Sequence, residues 1–133
     1  MRQEDILKIA PRILTDRQRE EYFERGFVTI SDIISFTWIE KLRLISQNFL
    51  NESTSFTKSG DAYDLGPNHT NTKPHVRRLK ALVDRDPIFW EFAKSALADI
   101  AADLVGPNVK FHSSKLNYKW PGAGDLVKWH QDI

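Results

Sequence analysis

The chain is 133 residues long, a length that fits one domain. Apolar residues make up 41% and charged residues 28%, which excludes collagen-like, coiled-coil and wholly disordered classes. With 19 Lys and Arg against 18 Asp and Glu there is no basic excess of the kind nucleic-acid or membrane-surface binding requires, and the absence of cysteine excludes disulfides, a cysteine nucleophile and thiolate metal sites. No apolar run approaches the ~18–20 residues of a membrane-spanning helix, and Met1 to Asp5 lead into no apolar signal segment. The expectation is a soluble, cytoplasmic protein. Asn51-Glu52-Ser53 and Asn68-His69-Thr70 match the glycosylation sequon and, without a signal peptide, read as chance.

Residues 1–13 form an arm or a short helix. Thr15 and Gln18 have the spacing of a capping box and open a helix that Gly26 closes. The β-branched and aromatic run 27–30 predicts a short strand. Thr37 and Glu40 repeat the capping-box spacing, and Ile39, Leu42, Ile45 and Phe49 follow at helical spacing, so roughly 38–50 is an amphipathic helix. Between Asn51 and His75 the pattern collapses into a long polar loop, of the kind that is a functional lid or a linker. Asp86 and Pro87 start a third helix by cap and first-turn proline. Its buried stripe is Phe89, Phe92, Ala93, Ala96, Leu97, Ile100 and Leu104, with Glu91, Lys94, Ser95, Asp99 and Asp103 facing water, until Gly106-Pro107 stops it. Beyond Asn108 the period changes from 3.6 to 2. Residues 109–120 predict a strand, 121–125 a turn and 126–133 a second strand, together a β-hairpin over 108–133. Helices followed by a hairpin make the chain α+β.

The sharpest chemical feature is Trp129-His130-Gln131-Asp132. In a strand, positions i and i+2 share a face, so His130 and Asp132 project together. An imidazole and a carboxylate on one face are two of the three ligands of a 2-His-1-carboxylate triad, which holds non-heme Fe(II) and leaves the opposite positions open. Spacing alone leaves this pair open between metal ligands and a surface histidine near a carboxylate. If the hairpin is symmetric about Gly122-Ala123, Lys115 lies opposite His130 and Asn117 opposite Lys128. Lys115 and Asn117 then share the metal face and suit a bound carboxylate, whereas a slip of one residue moves both to the far side.

The stretch Phe111-His112-Ser113-Ser114-Lys115-Leu116-Asn117-Tyr118-Lys119-Trp120-Pro121-Gly122-Ala123-Gly124, followed by Trp129-His130-Gln131-Asp132-Ile133, resembles the phytanoyl-CoA dioxygenase (PhyH) family, which includes the ectoine hydroxylases. Leu14-Thr15 with Gln18, then Tyr22 and Gly26-Phe27-Val28, resembles that family's opening helix and strand. The resemblance implies the N-terminal helices and first strands of a double-stranded β-helix, a jelly-roll of the cupin kind, with 1–133 as the N-terminal part of one domain, truncated before the sheet is complete. It implies an Fe(II)- and 2-oxoglutarate-dependent dioxygenase, using O2 to hydroxylate a C–H bond of a small metabolite or acyl-CoA-like substrate while 2-oxoglutarate becomes succinate and CO2. His130 and Asp132 match the first two iron ligands, and Lys115 and Asn117 lie where relatives contact 2-oxoglutarate. The family's second iron-binding histidine and its 2-oxoglutarate-clamping basic residue lie downstream of the positions present. The expectation is therefore an N-terminal fragment of a longer enzyme, inactive alone.

His112 faces away from Lys115 by parity and is rejected as a third ligand. His69 and His75 read as solvated loop histidines that could swing toward the metal. Arg77, Arg78 and Lys80 read as a solvated or ion-paired face, with a phosphate such as that of coenzyme A, or 2-oxoglutarate itself, as the functional alternative. The competing class is a non-catalytic interaction module on the same scaffold, recruiting a partner strand at its open sheet edge. Nucleic acid is opposed by the balanced charge and by the lack of a groove-reading motif.

Overall fold

The computed structural model describes residues 1–122, 129 and 130. The chain divides into two compact units. The first comprises Met1–Leu42 and Asp86–His112, the second Arg43–Arg85 and Ser113–Ile133.

The first unit holds helices α1 (Gln3–Leu7), α2 (Asp16–Arg25), the start of α3 (Phe36–Ser53), α5 (Pro87–Ala93) and α6 (Ala96–Val105). The Thr15–Gln18 capping box forms as the sequence predicts: the Thr15 hydroxyl accepts from the Gln18 backbone and the Gln18 side chain accepts from the Thr15 N–H. Gly26 ends α2 in the left-handed conformation at φ 80°. The predicted strand over 27–30 is not formed. A strand needs a ladder partner, and among the described residues this run has none; Phe27 instead lies exposed beneath the Arg25 guanidinium at 4.3 Å. The second predicted capping box also fails. The helix begins two residues earlier because the Ser35 hydroxyl accepts from the Trp38 N–H, leaving Thr37 inside the helix.

The third predicted helix exists as two. Asp86 caps α5 through Ile88 N–H, with Pro87 in the first turn. The Ser95 hydroxyl then takes the Phe92 carbonyl at 2.6 Å, a local bond that competes with the helical ladder. Ser95 becomes the extended residue from which α6 starts. Phe89 and Ile100 are buried as expected, and so, against expectation, is Asp103. It faces inward because the arm needs a carboxylate: Asp103 accepts from the backbone N–H groups of Arg12, Ile13 and Leu14 at 2.7, 2.8 and 2.9 Å. Beside it the buried guanidinium of Arg19 donates to the carbonyls of Ile6, Ile9 and Asp103, tying α1 and the arm to α2 and α6.

The second unit is built on an antiparallel sheet in the order β1 (Tyr63–Leu65), β2 (Val76–Lys80), β3 (Lys115–Asn117), with the end of α3 and the short α4 (Leu82–Arg85). Two of these strands were not expected. β1 lies inside the stretch read as a loop, and β2 follows directly on it. The alternation that would have announced β2 is broken by a bulge: Asp64 pairs with Arg78 but Leu65 with Val76, so Arg77 is the extra residue. The bulge restores one face to Val76 and Leu79, three positions apart and both fully buried. Tyr63 joins them, and Leu82 is also buried. Burial raises the Tyr63 pKa against the pull of Arg85, and the Tyr63 hydroxyl donates to the Phe49 carbonyl at 3.1 Å. Ala81 adopts φ 50° at the corner between β2 and α4.

The predicted strand over 109–120 is confined to Lys115–Asn117, and it pairs with β2. Apart from Trp129 and His130, the predicted partner strand 126–133 lies outside the described residues. Among the described residues, no helix is long and apolar enough to cross a membrane.

Candidate functional site

Register across the sheet decides which side chains meet. Arg78 pairs with Asp64 on one side and Asn117 on the other, and Lys80 pairs with Lys115. Opposed residues in an antiparallel ladder project to the same face. Asp64, Arg78, Lys80, Lys115 and Asn117 therefore form one polar face, while Tyr63, Leu79 and Leu116 lie on the other. On the polar face the Lys80 ammonium meets Asp64 Oδ1 at 2.8 Å, and Arg78 reaches Asp64 Oδ2 at 3.8 Å. Arg78 Nε donates to Asn117 Oδ1 at 3.0 Å. Lys115 is exposed and has no ion pair or hydrogen bond among the described residues.

Three cations thus face one carboxylate among the described residues, and two of them, Lys80 and Lys115, stand directly opposite each other in the ladder. Like charges in that position are destabilising. Asp64 offsets Lys80, which leaves the Lys115 and Asn117 end of the face net positive and equipped with an amide. Such a face accepts an anion through charge-assisted hydrogen bonds. The sequence-predicted pair Lys115 and Asn117 is thus brought together on one face. The Arg78 and Lys80 pair, read mainly as solvated or ion-paired, is ion-paired and borders it. Asp64 was missed. The i, i+2 spacing of Arg78 and Lys80 was the available signal, concealed by the bulged Arg77.

Behind the sheet, the chain after β3 is anchored by aromatic residues. Trp120 Nε1 donates to the Val76 carbonyl at 2.7 Å, and Tyr118 stacks on Trp120 with ring centres 6.2 Å apart. Tyr118 also donates to the Ser46 carbonyl, and burial raises its pKa. Trp120 borders a recess of about 240 Å³ lined also by Asn68, Lys73, Pro74, His75 and Pro121.

The histidines have separate fates. His69 is structural: its Nδ1 accepts from the His75 N–H at 2.9 Å and its Nε2 faces the Ser53 and Phe56 carbonyls at 3.1 Å. Those partners make Nε2 the protonated nitrogen and occupy both ring nitrogens. His75 is buried, with its ring over Gly66. Neither is a solvated loop histidine. His112 lies in the first unit. His130 is exposed and belongs to no helix or strand, while Asp132 lies outside the described residues. Among the described residues no three His, Asp or Glu side chains gather into a metal cluster. The donor types at positions 130 and 132, an imidazole and a carboxylate, are those of a non-heme iron site. In that chemical sense the residues fit two of three ligand positions.

Comparison with known proteins gives the setting for these residues. The chain is 23% identical over 120 residues to a protein of Stutzerimonas stutzeri described as a probable alpha-ketoglutarate-dependent hypophosphite dioxygenase, a match covering 86% of this chain and 40% of the relative. It is 27% identical over 124 residues to the ectoine dioxygenase of Sphingopyxis alaskensis, covering 90% of this chain and 38% of the relative. The crystal structure of EctD from S. alaskensis with bound Fe matches with a TM-score of 0.73 at 26% identity, over 88% of this chain and 40% of that one. The chain therefore spans about 40% of the length of the relatives it matches. Residues 22–133, which carry the sheet, its cationic face and the His130 to Asp132 segment, match the phytanoyl-CoA dioxygenase (PhyH) model, and the chain belongs to that family.

Proposed function

We propose that the chain forms the N-terminal part of an Fe(II)- and 2-oxoglutarate-dependent dioxygenase that hydroxylates a C–H bond of a small metabolite or acyl-CoA-like substrate. The observation that carries this reading is the positive sheet face around Lys115 and Asn117. 2-Oxoglutarate is a dianion whose carboxylates accept only, and this face offers an ammonium and an amide. The relatives' dioxygenase chemistry and the iron bound in the EctD crystal structure support the same reading.

In this mechanism His130 and Asp132 would hold the iron, which when bound would supply O2 activation. Lys115 neutralises one carboxylate of 2-oxoglutarate and Asn117 donates to it, fixing the cosubstrate before O2 reacts. The sheet holds both side chains on one face through its ladder to β2. Residues 1–133 supply two metal ligands by this assignment, and two ligands bind iron weakly; by themselves these residues are expected to release no succinate from 2-oxoglutarate.

The test is anaerobic titration of the chain with Fe(II) and 2-oxoglutarate, followed by calorimetry and by the charge-transfer absorbance of an Fe(II)–2-oxoglutarate chelate. Weak binding of both, with 2-oxoglutarate affinity lowered about tenfold, about 1.4 kcal/mol, in Lys115→Ala, supports the reading. A folded chain that binds neither overturns it, and leaves the non-catalytic module as the reading to pursue.

A further inference from the structure

Arg78 stands in the middle of the polar face, paired with Asp64 on one side and Asn117 on the other. We infer that Arg78 is a positioning residue that sets the orientation of the Asn117 amide for an anionic ligand. This inference rests on the proposed placement of 2-oxoglutarate at Lys115 and Asn117.

Asn117 has nearly the same shape in either flip, but its oxygen accepts and its NH2 donates. A carboxylate ligand can be bound only by the NH2 end. Beside cations an unheld amide is free to turn its oxygen outward, and Lys80 and Lys115 form the adjacent pair on this face. Arg78 removes that freedom. Its Nε donates to Asn117 Oδ1 at 3.0 Å from the directly opposed ladder position, so the oxygen is engaged and the NH2 points away from the guanidinium. Arg78 is itself aligned by Asp64, whose Oδ2 lies 3.8 Å from Arg78 Nη1 while its Oδ1 holds Lys80 at 2.8 Å.

Asp64, Arg78 and Asn117 thus form a row across three strands, one from each, running from a carboxylate to an amide. The guanidinium is suited to the middle place because its planar fork lets Nε donate to Asn117 while Nη1 faces the Asp64 carboxylate at 3.8 Å; the ammonium of a lysine is a flexible point charge without that fixed geometry. The charge of Arg78 also favours an anion nearby, but a lysine would supply that equally. The orientation is what distinguishes the arginine.

The experiment compares wild type, Arg78→Lys, Asn117→Ala and the double variant. The readouts are the dissociation constant for 2-oxoglutarate, measured anaerobically with Fe(II) by calorimetry, and the side-chain NH2 resonances of Asn117 in the ligand-free chain. Arg78→Lys is expected to weaken 2-oxoglutarate about fivefold although the charge is kept. It should shift the Asn117 NH2 signals before any ligand is added, and it should add nothing in the Asn117→Ala background. Unchanged NH2 signals in Arg78→Lys overturn the inference regardless of ligand binding. So does wild-type affinity in Arg78→Lys while Asn117→Ala binds weakly, an outcome that leaves the proposed function standing. A full fivefold loss on top of Asn117→Ala assigns Arg78 to the ligand directly and also overturns positioning. Wild-type affinity in Asn117→Ala, or no binding by the folded wild type, overturns the proposed placement of 2-oxoglutarate and this inference with it.

Discussion

The buried Asp103 carboxylate receives the backbone N–H of Leu14 at 2.9 Å, a bond between residues 89 positions apart. Ile13 shares the same oxygen and Arg12 takes the other. One side chain thus satisfies three consecutive donors of the N-terminal arm, and Arg19 satisfies carbonyls on either side of it. Asp103→Ala should cost on the order of 3 kcal/mol, because it strands several N–H groups whose bonds to a charged acceptor are worth about 1.5–3 kcal/mol each. Urea denaturation measures this. A loss under about 1 kcal/mol would show that the arm's donors find water or other partners instead.

The same carboxylate carries a pH dependence. Burial alone would raise its pKa, but the N–H groups of Leu14, Arg12 and Ile13 and the charge of Arg19 outweigh burial and hold it below the ordinary carboxylate value. A folded pKa below the unfolded one means that the stabilisation is fully present above about pH 4, the unfolded range, and is lost as pH falls through the folded value. Wild type should therefore lose stability steeply on acidification in that window, and Asp103→Asn less so. Parallel curves for the two proteins would remove Asp103 from the account.

Gly66 is fixed by the His75 ring. A Cβ at Gly66 would meet His75 Cε1 and Nδ1 at 2.8 Å and Cδ2 at 2.9 Å, a clash with a buried ring that also meets Trp120 edge-on at 6.0 Å. Gly66→Ala should cost about 1–3 kcal/mol, the usual range for overpacking. Adding His75→Ala should recover part of that loss, since the two changes share one space. Strict additivity in the thermal unfolding of the double variant would contradict the contact.

His69 splices the loop to the end of α3 by using both ring nitrogens. His69→Ala should destabilise the chain by about 1–3 kcal/mol, the cost of leaving a backbone N–H and two carbonyls without this partner. Amide exchange at His75 should accelerate in the variant, and unchanged protection there would refute the splice.

His130→Ala should lower Fe(II) affinity at least tenfold, about 1.4 kcal/mol, without changing the unfolding midpoint, because His130 is exposed and outside any helix or strand. Anaerobic metal titration alongside circular dichroism separates the two effects. Wild-type metal affinity would end the ligand assignment.

Features whose physics is local were legible before any tertiary contact was known. Thr15 with Gln18, Gly26 after α2, and Asp86 with Pro87 act within one helical turn, and each was legible and forms. The family resemblance was equally legible, because it rests on side-chain identities in two short stretches, 14–28 and 111–133. What the sequence did not determine depends on partners far away along it. The run 27–30 has strand-forming residues but no ladder to join, so it stays irregular. Asp103 lies at the edge of its helix's apolar stripe, and only the arm, some 90 residues earlier, decides that it is buried. β2 was concealed because the bulge at Arg77 breaks the period of two, and the bulge exists only through pairing with β1. The candidate site divides in the same way. Lys115 and Asn117 were legible from spacing and resemblance, but that Arg78, Lys80 and Asp64 surround them was decided by strand register, a tertiary relationship that no single strand encodes.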